Sequence, residues 1–436
     1  HQSTRRNGRE QAVQGEALLS GPVVIPNVAG LHARPAAVFA VEAKRFSAEV
    51  RLLRGDGDAA EEANAKSVVA ILGRARELEA RGRDIIHMEV GEPDFPTPAP
   101  IVEAGIAALR AGHTHYTPAL GLPALRQAIA GYYRDRHGVD LPAGRVCVTP
   151  GASGALLLVM AALFDPGQEV LLADPGYPCN RHFARLVEAR GVGVPVGRET
   201  GYQLTADLVD RHWGPNTRGV LVANPGNPTG TLIPDAELKA IHALARDRGG
   251  WLIVDEIYHE LVYETAPPSA AGLGEDVIVL NSFSKYWLMT GWRLGWLLAP
   301  EALMPAIDRL AQNIFLSAPT VAQHAALAAL APATRTLLER RKAELRERRD
   351  WLLPALEGLG FRVCAVPEGA FYVYAGIDAF GMEAEVLAEK LLLEAGVAIT
   401  PGTDFGAHAA SRHVRFAYTT SLERIREAVG RMARAL

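Results

Sequence analysis

WLIVDEIY, residues 251–258, sets four apolar side chains in a row and ends them on an acid. A short run with no polar face suits a strand covered on both sides, as the strands of a parallel sheet are. Upstream, GVLVANPGNPTG (219–230), EVLLADPGYP (169–178) and RVCVTPG (145–151) follow the same plan, and VIVLNSFSK (277–285) follows it downstream. Segments of helix length separate these runs. The spacing predicts an α/β architecture, a mostly parallel sheet sandwiched between helices.

Each run stops at its C-terminal side in residues with chemical uses: Gly151, Ala152 and Ser153; Tyr177; Asn227; Asp255 with Tyr258; Ser282 with Lys285. In a parallel sheet those ends share one edge, where open α/β folds hold their ligands. Any one cluster could merely punctuate a turn. Together the five predict one site.

Beyond Pro300 the pattern changes. A long charged helix, ATRTLLERRKAELRERRDWL (333–352), precedes the strand-like FRVCAVPEGAFYVYAG (361–376) and HVRFAYTT (413–420), which predicts a second, smaller α+β unit. The helix near Glu77 and the strand IIHMEV (85–90) are expected to join it.

The chain has 436 residues, 49% of them apolar and 22% charged, so two or three folded domains are expected. Its 45 basic and 49 acidic residues leave a net charge of -4, with no basic stripe for nucleic acid. Cys147, Cys179 and Cys364 lie far apart without metal-ligand spacing and read as reduced thiols. The first twenty residues lack the apolar stretch of a signal peptide, and the apolar run Ala155–Phe164 is too short to span a bilayer. A cytoplasmic protein is expected, with no membrane and no metal.

Lys285 follows a buried strand, where loss of solvent lowers an amine's pKa and favours a Schiff base; the plain alternative is a solvated lysine. Asp255 enters an apolar setting and needs a cationic or donor partner, unless it caps the next helix. Arg293 in GWRLGW (291–296), with Ser153, Ser282 and the amides after Gly151, could enclose a phosphate dianion or form a surface ion pair. Tyr177 offers a ring face and Tyr258 a hydroxyl, although aromatics near a sheet also serve as core. Lysine, aspartate, arginine and phosphate-binding turns are together what pyridoxal phosphate requires.

These residues carry a resemblance. GEPDF at Gly91, YTPALGLPALR at Tyr116, NPTG at Asn227, DEIY at Asp255, SFSK (282–285), GWRLG (291–295) and RFAY at Arg415 stand in the order of a fold-type I, class I aminotransferase, which residues 74–436 resemble. The resemblance implies that Lys285 bonds the cofactor and moves the proton in catalysis, and that Asp255 keeps the pyridine nitrogen protonated. It implies that Asn227 and Tyr258 bond the phenolic oxygen and that Tyr177 stacks on the ring. Gly151, Ala152, Ser153, Ser282 and Arg293 would form the phosphate cup, and Arg415 would hold the substrate carboxylate beside Gly91. Tyr116 would reach the phosphate of a neighbouring subunit, making a homodimer with shared sites. The implied division is a large cofactor-binding domain at 98–319 and a small one from 74–97 and 320–436.

A polar tail covers residues 1–20. Residues 21–73 resemble something else, the phosphocarrier HPr of the bacterial sugar phosphotransferase system, through VIPNVAGLHARPAAVFA (24–40) and ANAKSVVAILG (63–73). By that resemblance His32 is a phosphoryl acceptor, Ser67 a regulatory phosphorylation position, and phosphotransferase-system proteins are partners if the segment works. The likeness to HPr ends about a third short, while the aminotransferase part lacks the N-terminal arm that relatives pack on the partner subunit. Val68, Ile71, Leu72, Ala75 and Leu78 recur at helical spacing, which predicts one helix across the join, as in a gene fusion or artificial chimera.

The expected function is transfer of an amino group from an amino acid to a 2-oxo acid in a ping-pong cycle through Lys285. The alternatives are β-elimination, as in carbon–sulfur lyases that share this pocket, and a phosphocarrier role through His32.

Overall fold

A computed structural model describes residues 68–436, and the expectations for His32 and Ser67 lie outside the described residues. The apolar runs form β2 (Val146–Thr149), β3 (Glu169–Asp174), β5 (Thr217–Ala223), β6 (Trp251–Asp255) and β7 (Ile278–Ser282). With β4 (Arg190–Pro195) and β8 (Gly295–Leu298) they make a seven-stranded sheet in the order β2-β8-β7-β6-β5-β3-β4. Pairings along β7-β6-β5-β3-β4 are parallel, whereas β8 runs antiparallel to both its neighbours, β2 and β7.

Every residue of β2, β7 and β8 is buried, which is why their sequences show no polar face. Apolar side chains pack from both faces: Leu156, Val159 and Met160 lie in one cluster with Leu221, Ile253 and Leu280, while Val220, Val254 and Val279 point into the other. The helices follow their local signals. Helix 123–137 starts at Pro123, carries Arg134, Arg136 and His137 in its last turn, and stops at Gly138 with φ 66°. That sequence suits both the helix dipole and a left-handed cap.

A second, four-stranded sheet, in the order β12-β13-β10-β9, consists of β9 (Arg362–Val363), β10 (Tyr372–Gly376), β12 (Thr400–Pro401) and β13 (His413–Ala417). Beside it β1 (Ile86–His87) pairs in parallel with β11 (Val397–Ala398). One helix, Val68–Ala80, runs without a break through position 73. Its Ile71, Ala75 and Leu78 cluster with Ile85, Leu392 and Ala398, so three positions of the expected face pack there, while Leu72 is half-buried outside that cluster. No described helix is long and apolar enough to cross a membrane.

Candidate active site

The parallel strands bring four of the five clusters to one edge: β3 delivers Tyr177, β5 Asn227, β6 Asp255 and Tyr258, and β7 Ser282 and Lys285. The fifth, Gly151–Ser153, follows β2, which parallels β7 because each is antiparallel to β8. The reversed strand β8 starts at this edge, so Arg293, just before it, arrives there too. Gly295 stands opposite both Thr149 and Ser282 in the register.

Around Arg293 the backbone is built for close approach. Gly151 has φ 69° and opens helix 151–163, whose first turn has no side-chain cap. A Cβ on Gly151 would sit 2.6 Å from the Arg293 guanidinium, and one on Gly295 would sit 2.8 Å from the Gly151 carbonyl carbon. Arg293 itself is left-handed, φ 54° and ψ 56°, a conformation that an L-residue holds only when its surroundings enforce it. It donates to the Thr290 carbonyl at 3.0 Å. A guanidinium against uncapped helix amides suits a phosphate. Ser153 is exposed, whereas Ser282 is fully buried and bonded to Ser284 and the Leu294 carbonyl at 2.9 and 3.0 Å.

Lys285 Nζ donates to the Gly91 carbonyl at 2.8 Å. Burial, with help from the positive Arg415 and Arg293, pushes its pKa down to about 8, against the opposing pull of Glu92 and Asp255. Asp255 is buried and accepts the Ile257 amide at 3.0 Å. Burial pushes its carboxyl up to about 6, partly offset by that amide. A buried acid in such a state gains by facing a protonated ring nitrogen.

Arg415 lies in β13 between Tyr374 of β10 and Thr400 of β12. It is buried, donates to Asn227 Oδ1 at 3.0 Å and to the Glu89 carbonyl at 2.5 Å, and stacks between the rings of Tyr372 and Phe405. Among the described residues its Nε has no hydrogen-bond partner. Gly91 is held because Asp94 and Phe95 of the same motif meet the buried Arg348, by an ion pair of 2.8 Å and a ring contact. Tyr177 lies at the surface with 36% exposure and Tyr116 with 80%.

Two contributors are absent from the sequence reading. Tyr372, the first residue of β10, meets Tyr258 hydroxyl to hydroxyl at 2.8 Å. Glu92 bonds Thr290 and faces Lys285.

A conserved-domain comparison matches residues 83–432 to the profile "Aminotransferase class I and II". The chain belongs to that family. It is 39% identical over 360 residues to the valine–pyruvate aminotransferase of Mycobacterium tuberculosis, covering 82% of this chain and 92% of the relative. It is 36% identical over 393 residues to the arginine–pyruvate transaminase of Pseudomonas aeruginosa, covering 89% and 97%. The solved structure of Thermus thermophilus aspartate aminotransferase with maleate matches with a TM-score of 0.82 at 36% identity, over 88% of this chain and all of that one. This chain is therefore a fold-type I transferase and an aminotransferase. A second profile, "PTS HPr component phosphorylation site", matches residues 19–94. Its match continues past Gly73 into β1, so residues 83–94 fall under both profiles.

Proposed function

We propose that the edge built by β2, β3 and β5–β8 holds pyridoxal phosphate and that this aminotransferase uses it to exchange amino groups between 2-amino and 2-oxo acids. The observation that carries the reading is the half-buried amine of Lys285, depressed to about 8 and held 2.8 Å from the Gly91 carbonyl at the same strand edge as the buried acid Asp255. When bound, pyridoxal phosphate supplies an aldehyde carbon for amines and a ring that withdraws electrons from the substrate's α-carbon.

The chain's residues divide the remaining work. Asp255 holds the proton of the ring nitrogen, and Asn227 and Tyr258 hold the phenolic oxygen. The amides of Gly151, Ala152 and Ser153, with Ser282 and the Arg293 guanidinium, take the phosphate. Tyr177 covers the ring. Arg415 takes the substrate carboxylate; its orphaned Nε marks unspent donor capacity, and Asn227 at 3.0 Å keeps the guanidinium in place. Lys285, once free as an amine, lifts a proton from the α-carbon and delivers one back, work suited to a group that titrates near 8. The exposed Tyr116 serves the site of a second copy, in a homodimer.

The relatives are named for valine, arginine and aspartate, so the side chain of the donor is open to a panel. Purified protein loaded with cofactor should change its absorbance when an amino acid is added and recover it with a 2-oxo acid. Pyruvate release without an oxo acid would point to β-elimination instead. Full turnover by Lys285→Ala would overturn the reading.

A further inference from the structure

Three neighbours of Tyr372 belong to different parts of the site. Its hydroxyl is 2.8 Å from that of Tyr258. Its ring lies under the Arg415 guanidinium, 4.3 Å from centroid to Cζ. A Cβ on Gly91 would lie 2.0 Å from its hydroxyl oxygen, so the side chain closes against the peptide whose carbonyl holds Lys285. The residue is fully enclosed, 2% exposed. A strand register that sets Tyr372 opposite Ala417, two residues past Arg415, fixes its backbone.

We propose that Tyr372 is a positioning residue that sets the proton affinity of the lysine–cofactor linkage by acting through Tyr258. The inference rests on the cofactor assignment above. Burial raises both phenols above their ordinary range, so the pair keeps two protons at working pH. One proton lies between the two oxygens and one is left over. With Tyr258 turned to the cofactor's phenolic oxygen, Tyr372 is the donor within the pair. A phenol that accepts a hydrogen bond becomes a better donor itself, because the chain polarises in a dry setting. Tyr258 then holds negative charge on the phenolic oxygen more firmly, and the neighbouring linkage nitrogen binds its proton less tightly. The ring of Tyr372 has a separate task, keeping Arg415 in place, and Phe preserves it.

The test is an absorbance titration of loaded protein from pH 5 to 10, for the parent, Tyr372→Phe, Tyr258→Phe and the double variant. We expect Tyr372→Phe to raise the titration midpoint by about half to one pH unit, the size of one ordinary hydrogen bond. Tyr258→Phe should raise it further, and the double variant should match Tyr258→Phe alone, since Tyr372 acts through that hydroxyl. The KM of Tyr372→Phe for its amino donor should stay within about twofold, because the ring remains beneath Arg415. An unchanged midpoint in Tyr372→Phe, or a shift that adds in full to that of Tyr258→Phe, overturns the inference and leaves the cofactor assignment standing. A parent protein with no lysine-linked absorbance overturns both.

Discussion

Lys285 Nζ rests 2.8 Å from the carbonyl of Gly91, a residue that lies outside the large sheet altogether. The amine is thus anchored by a peptide whose own position depends on Arg348 gripping Asp94 and Phe95. Two residues earlier, the Glu89 carbonyl receives Arg415. One short stretch of backbone therefore sets the distance between the Lys285 amine and the Arg415 guanidinium, the two groups that the proposed function uses as reactive amine and substrate anchor, and such fixed spacing is the form of preorganisation that catalysis rewards.

Removing the amine should stop the chemistry. Lys285→Ala is expected to lower amino-transfer turnover by about a thousandfold or more, since under the proposed function it deletes both the covalent attachment and the proton carrier. Coupled measurement of 2-oxo acid formation reads this directly, and circular dichroism checks that the fold persists.

The reactivity of the amine should depend on pH in one direction. With a pKa near 8 in cofactor-free protein, Lys285 is mostly charged at pH 6 and mostly neutral at pH 9. Only the neutral amine attacks an aldehyde, so the rate of cofactor incorporation should climb about tenfold per pH unit below 8 and level off above it. Glu92 raises the affinity of Lys285 for its proton, so Glu92→Gln should move that bend to lower pH. Stopped-flow absorbance at a series of pH values measures both.

Asp255 should reveal a conflict between stability and function. Its carboxyl titrates near 6 when folded against an ordinary aspartate value of 3.8, so the folded chain binds that proton more tightly than the unfolded one. The resulting penalty grows as pH rises from about 4 to 6 and is complete at neutral pH. Asp255→Asn should therefore stabilise cofactor-free protein by about 1–3 kcal/mol at pH 7.5, with little effect at pH 4, while cutting turnover. Urea unfolding at the two pH values distinguishes this from a uniform effect.

Arg415 should matter to substrates more than to the fold alone. Arg415→Lys keeps a charge but loses the planar fork that a carboxylate needs. A fall in kcat/KM of about a hundredfold is expected, chiefly through KM, for amino donors of every side chain. Steady-state kinetics with several donors would show whether the loss is uniform.

What the sequence carried and what it did not divides along physical lines. A strand buried on both faces must be apolar throughout, so β2, β3, β5, β6 and β7 were visible as runs, and their ends had to share an edge once the sheet was parallel. The place of Arg293 followed from a motif. Its delivery by an antiparallel strand did not, because pairing direction is decided by partners remote in sequence. Tyr372 was hidden for a similar reason: within GAFYVYAG it reads as one more core aromatic, and its meaning comes from Tyr258 on another element. The contribution of Glu89 is a backbone carbonyl, which no side-chain pattern announces.

The helix at the join offers a last test. Ile71, Ala75 and Leu78 bury one face against Ile85, Leu392 and Ala398, and Glu79 bonds His87 at 3.0 Å. His87 in turn holds the buried Glu89 at 2.7 Å, and the Glu89 carbonyl receives Arg415. The helix thus abuts the strand whose backbone reaches Arg415. Leu78→Ala removes a side chain from a small peripheral cluster, where the cost belongs at the low end for such a change, about 2 kcal/mol. The melting temperature should drop by about 2–4 °C, with kcat and KM near those of the parent at 25 °C. A melting temperature that does not move would mean that the helix contributes nothing to this unit. A large loss of activity in protein that stays folded would mean instead that the strand leans on the helix for its register.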